Sequence, residues 1–218
     1  MKKILLVALT VLASVCGPVS QAQTKQPEDG FDYKTLPAAQ PTEPKGKIEV
    51  VEFFSYKCPH CNAFEPSMDA WIKKAPADVV VKHVPAKITD SWVPAQRLYY
   101  ALEGLGKANE LHSKVYYAIH IEKQQFENRE QIADWAEKQG IDRKKFLDMY
   151  NSFSVETKVN QANKLAISYK IDGVPTLVVG GRYVTAPSMV STMPGSPMTS
   201  SLIVTDYLVD KVRKSGKL

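Results

Sequence analysis

An α/β fold interrupted by an all-helical insertion is what three features of this 218-residue sequence predict. Two valine-rich apolar runs, 48–54 and 79–84, lie on either side of a helix-like segment. A long central stretch then shows helical periodicity alone, and strand signals return at 176–185. A strand–helix–strand order with short links makes a parallel crossover unit, and strands on both sides of a helical block place that block inside the α/β domain.

The elements follow in chain order. Lys2 and Lys3 precede an apolar stretch over 4–15, then Gly17-Pro18, then Ser20-Gln21-Ala22, with small residues where a signal peptidase reads. Residues 1–22 are therefore expected to be a cleaved signal peptide, since the apolar run is short for a membrane span, and the mature chain begins at Gln23. Cys16 departs with it; Ala13-Ser14-Val15 before it is a poor lipidation signal. Residues 23–47, with Pro37, Pro41 and Pro44, read as an irregular lead-in. Residues 48–88 and 170–218 are assigned to the α/β domain and 89–169 to the insertion.

Within the first part, 48–54 is a buried strand, a helix over 62–74 should kink at Pro66, and 79–84 is a second strand. The insertion carries successive apolar stripes: Leu98, Ala101, Leu102, Leu105; Leu111, Val115, Ile119; Ile132, Trp135, Ala136; Phe146, Met149, Tyr150. Gly104, Gly106 and Gly140 punctuate them, and Asn128 suits an N-cap. Segments 176–179 and 182–185 flank Gly180-Gly181, a pair that favours a tight hairpin, and a helix over 200–213 closes the chain.

Losing Lys2 and Lys3, in a leader without acids, takes the formal charge from +5 to +3. The remaining basic residues are interspersed with acids, which argues against a nucleic-acid partner. About 196 residues remain, enough for one substantial core or one domain with a large insertion.

The chemistry sits at Cys58-Pro59-His60-Cys61, between the first strand and its helix. This spacing sets one sulfur at the first helical turn and the other about a turn further in, close enough to form a disulfide. Unpaired amides and the helix dipole stabilise a thiolate on the first sulfur. Cys58 is thus expected to be the attacking, solvent-facing thiol. Cys61 shares a helical face with Phe64, Met68 and Trp71 or Ile72, and should point inward as the resolving thiol. His60 can stabilise the Cys58 thiolate further. A zinc site would need two more ligands, and His83, His112 and His120 are scattered, so no metal is expected. A structural disulfide closing so short a loop would remove little chain entropy. With Cys16 gone, an exported chain whose whole cysteine content is one such pair is a handler of disulfides.

The run Val51-Glu52-Phe53-Phe54-Ser55-Tyr56-Lys57-Cys58-Pro59-His60-Cys61, the later Gly173-Val174-Pro175-Thr176, the leader and the helical insertion together resemble the DsbA-type thiol:disulfide oxidoreductases of the bacterial periplasm. The resemblance spans essentially the whole mature chain. It implies a thioredoxin fold with an inserted helical domain, no cofactor, and a redox disulfide between Cys58 and Cys61 within a catalytic Cys58-Pro59-His60-Cys61 motif. It implies that Val174 and Pro175, the latter cis, bind an extended substrate. Glu52 is then a partly buried proton acceptor near Cys61 rather than a residue on a solvated strand face. Lys82 is left outside the site, because strand alternation turns it from Glu52. The implied partners are reduced exported proteins and a quinone-linked membrane oxidase of the DsbB kind. A disulfide isomerase or reductase, or a noncatalytic peptide- or metal-binding module, are the alternatives. Residues 23–47 are too few for an isomerase's dimerisation domain, and a monomer is expected. The loop bearing Met189, Pro194, Pro197 and Met198 receives no role.

Overall fold

A computed structural model describes residues 25–216. The expected signal peptide, with Cys16 and its boundary at Gln23, lies outside the described residues. Every residue of β2 (Ile48–Phe54) is buried, the glutamates Glu49 and Glu52 included. It lies inside a five-stranded sheet of order β1-β5-β4-β2-β3, in which β1 is Lys34–Thr35, β3 Val79–Pro85, β4 Thr176–Val179 and β5 Tyr183–Thr185. β3 runs parallel to β2 with Glu52 opposite His83; β4 pairs antiparallel on the other side with Val51 opposite Val178.

Strand alternation divides the core. Ile48, Val50, Leu177 and Val179 pack with Phe64 and Met68 of α1 (Pro59–Ile72) and with Val204, Leu208 and Val209 of α7 (Pro197–Ser215). Val51 and Phe53 belong to the second core, where Tyr169 meets Phe53 edge-on at 5.7 Å. Between β3 and β4 lie α2 (Val93–Gly104), α3 (Ala108–His120), α4 (Arg129–Lys138), α5 (Arg143–Tyr150) and α6 (Phe153–Ser168). Their stripes point inward: Leu98, Leu102, Leu111, Ile132 and Phe146 are fully buried, and Leu105, Ile119 and Met149 pack at the margin. Asn128 caps α4, its Oδ1 accepting from the Glu130 and Gln131 amides at 3.1 and 3.0 Å.

The structure departs from expectation in four places. Helix α1 begins at Pro59, before its apolar stripe does. Helix α7 is longer than 200–213 because Ser196 caps it and Pro197 occupies the first helical position. Arg182 belongs to the hairpin turn, where Gly180 and Gly181 have φ of +56° and +63° and the Arg182 amide donates to Val179 at 3.1 Å. The lead-in is not wholly irregular: β1 pairs antiparallel with β5, and Tyr33 and Leu36 are buried. A two-residue strand is too short to leave a periodic signal.

Candidate active site

The chain leaves β2 through Ser55-Tyr56-Lys57, and the Cys58 amide donates to the Ser55 carbonyl at 3.1 Å. Cys58 is the N-cap residue of α1, extended at φ −89° and ψ 119°, with no side-chain cap bond. Pro59 at the first helical position has the right φ and no amide proton to leave unpaired. The first free amides are therefore those of His60 and Cys61, and both favour a thiolate at Cys58.

Both cysteines are free thiols. Cys61 points inward, 1% exposed, in the core that holds Phe53, Phe54 and Tyr56. Cys58 does not face solvent as its helix-start position suggests; it is only 5% exposed. The loop before β4 closes over it, so that the Cys58 thiol donates to the Val174 carbonyl at 3.4 Å beside the cis Val174-Pro175 peptide. No local pattern around residue 58 could show that cover.

The two sulfurs are driven apart in acidity. A hydrogen bond from the Cys61 thiol is the largest influence on Cys58; burial opposes it, the Cys61 and His60 amides assist, and the His60 charge adds least. The result is a Cys58 thiol lowered from 9.0 to about 6. Burial pushes the Cys61 thiol far up, and the Cys58 hydrogen bond, the Cys58 charge and the Glu52 charge push the same way. His60 itself is exposed on the rim.

Glu52 is 2% exposed, which removes the solvated-face alternative. His83 Nδ1, on the neighbouring strand, donates to its carboxylate at 2.7 Å. Burial opposes a charge on His83, but the Glu52 bond and charge, and then Glu65, outweigh it and raise the imidazole's pKa. The His83 ring lies 5.1 Å from that of His112 on α3. His112 Nδ1 meets the Tyr56 hydroxyl at 2.8 Å, while its Nε2 sits 3.3 Å from Glu65 Oε2 without hydrogen-bond alignment. The Ser113 hydroxyl donates to the other Glu65 oxygen at 3.0 Å. Burial pushes the Glu65 carboxyl up, but His112, Ser113 and the His83 charge hold it below the usual range. Two histidine–carboxylate pairs thus lie behind the dithiol, drawn from β2, β3, α1 and α3.

Sequence reasoning missed Tyr56, Glu65, His83 and His112 as members of this cluster. Glu65 had a signal, four residues after Cys61 on the same helical face; His83 needed the strand register, and His112 the docking of the insertion. Lys82 lies opposite Val51, and its charge acts on Glu49. A groove of about 830 Å³ takes in His60 and the Val174-Pro175 edge and is lined also by Leu36, Pro37, Met189 and Met198. The loop without a role in the sequence reading is one of its walls.

A family model described as DSBA-like thioredoxin domain matches residues 49–196. The chain is 41% identical over 214 residues to the thiol:disulfide interchange protein DsbA of Burkholderia cepacia, covering 98% of each. It is 37% identical to that of Pseudomonas aeruginosa PAO1 over the full length of both. The crystal structure of Pseudomonas aeruginosa DsbA superposes with a TM-score of 0.80 at 39% identity, covering 87% of this chain and 96% of that one. With a lowered thiol at the head of α1 and a raised one behind it, the chain belongs to the DSBA-like thioredoxin domain family and is a thiol:disulfide oxidoreductase.

Proposed function

We propose that the protein is the donor of disulfides to reduced proteins exported to the periplasm, acting as a monomer. The opposed acidities of Cys58 and Cys61 carry this reading. In the oxidised protein a substrate thiolate attacks the Cys58 sulfur, and Cys61 leaves with the electron pair. Its thiolate is disfavoured in that buried position, so it takes up a proton, for which Glu52 is the nearby carrier. The substrate's second thiolate then attacks its own sulfur in the mixed disulfide and releases Cys58 as a stabilised thiolate. Two electrons have passed to the protein, and the substrate holds the disulfide. A leaving group of low pKa departs readily, and stabilising the reduced form makes the disulfide a strong oxidant.

Pro59 sets the helix start and His60 the rim charge. Val174 and Pro175 form the edge along which an extended substrate adds as a short strand. A DsbB-like membrane oxidase restores the disulfide, and residues 1–22 direct export. Residues 48–88 and 170–218 form the thioredoxin-like domain, with 89–169 as the inserted helical domain. Equilibrating the Cys58-Cys61 pair against glutathione tests the direction. An oxidant stays largely reduced where glutathione disulfide is scarce; a pair that stays oxidised in strongly reducing mixtures overturns the proposal in favour of a reductase.

A further inference from the structure

Asp32 takes no part in the dithiol chemistry, yet it is a carboxylate with no exposed surface. Burying such a charge is costly unless its oxygens are satisfied. Here they are: the Thr192 amide donates to Oδ1 at 3.0 Å, the Thr192 hydroxyl donates to Oδ2, and the Glu28 amide donates to Oδ2 at 3.0 Å. The backbone of Asp32 is held too, its carbonyl accepting from the Thr185 hydroxyl at 2.7 Å. One side chain therefore joins the lead-in to the loop around Thr192.

Both segments line the groove beside the Val174-Pro175 edge. Leu36 and Pro37 follow Asp32 by four and five residues, and Met189 and Met198 flank Thr192. The loop between the methionines has no regular secondary structure until Ser196 opens α7, so its place depends on such ties. Methionine side chains adapt to apolar partners of varied shape, but a wall of them selects apolar groups only if the loop is held against the rest of the groove.

We infer that Asp32 is a positioning residue for substrate selection: through Thr192 it fixes the Met189–Met198 wall, and the groove takes an apolar side chain next to the substrate's reacting cysteine. This rests on the reading of the Val174-Pro175 edge as the substrate's seat, extended here to the groove that the edge lines, and the experiment separates the two. Two reduced two-cysteine peptides are compared, one with phenylalanine next to the attacking cysteine and one with serine there, together with a small dithiol.

The native protein should show a lower KM for the phenylalanine peptide. Asp32→Ala should raise that KM about tenfold, the order expected when charge-assisted hydrogen bonds holding a binding surface are lost. Its kcat, the serine peptide, the small dithiol and the glutathione equilibrium should change little. Thr192→Val, which keeps the side-chain shape and one of the two bonds, should shift the same KM in the same direction by less. If the native protein prefers the phenylalanine peptide and both variants keep that preference, the inference about Asp32 is wrong while the groove stands. Equal losses on all three substrates reduce Asp32 to a structural role and overturn the inference as well. If the native protein does not discriminate, the groove reading fails and takes the inference with it.

Discussion

Glu52 and His83 face each other across parallel strands, joined at 2.7 Å, with the carboxylate 2% exposed. Removing one member of a buried ion pair leaves the other charged without compensation, which costs about 3 kcal/mol or more. His83→Ala should therefore destabilise the protein by about that amount in urea titrations at pH 6. Glu52→Gln combined with His83→Ala should lose clearly less than the two single losses together. Because His83 titrates above its unfolded value, the pair's contribution is complete below about pH 6.5 and fades as pH rises through the folded pKa. Additive losses would show that the two residues do not act as a pair.

A second expectation concerns what lowers Cys58. The Cys61 thiol contributes most and the His60 charge least, so Cys61→Ala should raise the Cys58 pKa from about 6 by more than His60→Ala does. Alkylation rates of the reduced protein against pH read both values, with Cys61 sluggish throughout. The reverse order would give His60 the leading role and contradict this ranking.

This ordering also marks how far the sequence could be read. Residues 58–61, placed between a strand and a helix, announced the dithiol because spacing along a helix start is local. The apolar residues of 48–54 marked Glu52 as an oddity among its neighbours. Its partner was hidden, because the strand register that sets His83 opposite Glu52 is a relation between segments. The same holds for His112 from the insertion and for β1, whose two residues lie 150 and 148 positions from those they pair with; only the family resemblance brought Val174 and Pro175 to the site.

Linkage gives a third test. A thiol lowered to about 6, against about 8.5 in the unfolded chain, stabilises the folded reduced protein where it is ionised only in the fold. That contribution is complete above about pH 8.5 and is lost as pH falls through about 6; at pH 7 it is ~1 kcal/mol. The reduced protein should therefore melt above the oxidised one at neutral pH, and the gap should narrow toward pH 5.5. Cys61, held up rather than down, adds nothing in this window. A gap that does not move with pH would contradict a Cys58 of this acidity.

Gly181 and Gly106 provide a paired stability test. Both have positive φ, +63° and +69°, so alanine at either costs about 1 kcal/mol in backbone conformation. At Gly106 a new Cβ meets nothing within 4 Å, but at Gly181 it would lie 2.3 Å from the Gln40 carbonyl oxygen. Gly181→Ala should cost at least about 2 kcal/mol, and about twice the cost of Gly106→Ala, in matched chemical denaturation. Similar losses would mean that the lead-in yields freely at this point.

The peptide that covers Cys58 lies 116 residues after it, and β4, which completes the bonding of β2, follows directly. Synthesis makes the reactive sulfur long before its shield. A nascent chain that has reached the helices of the insertion can settle their local contacts, yet β2 still presents one bare edge and Cys58 is open to any thiol or disulfide nearby. Arrival of residues 174–179 changes both conditions together. Until that moment the young protein is a potential substrate for the exchange that its finished form carries out.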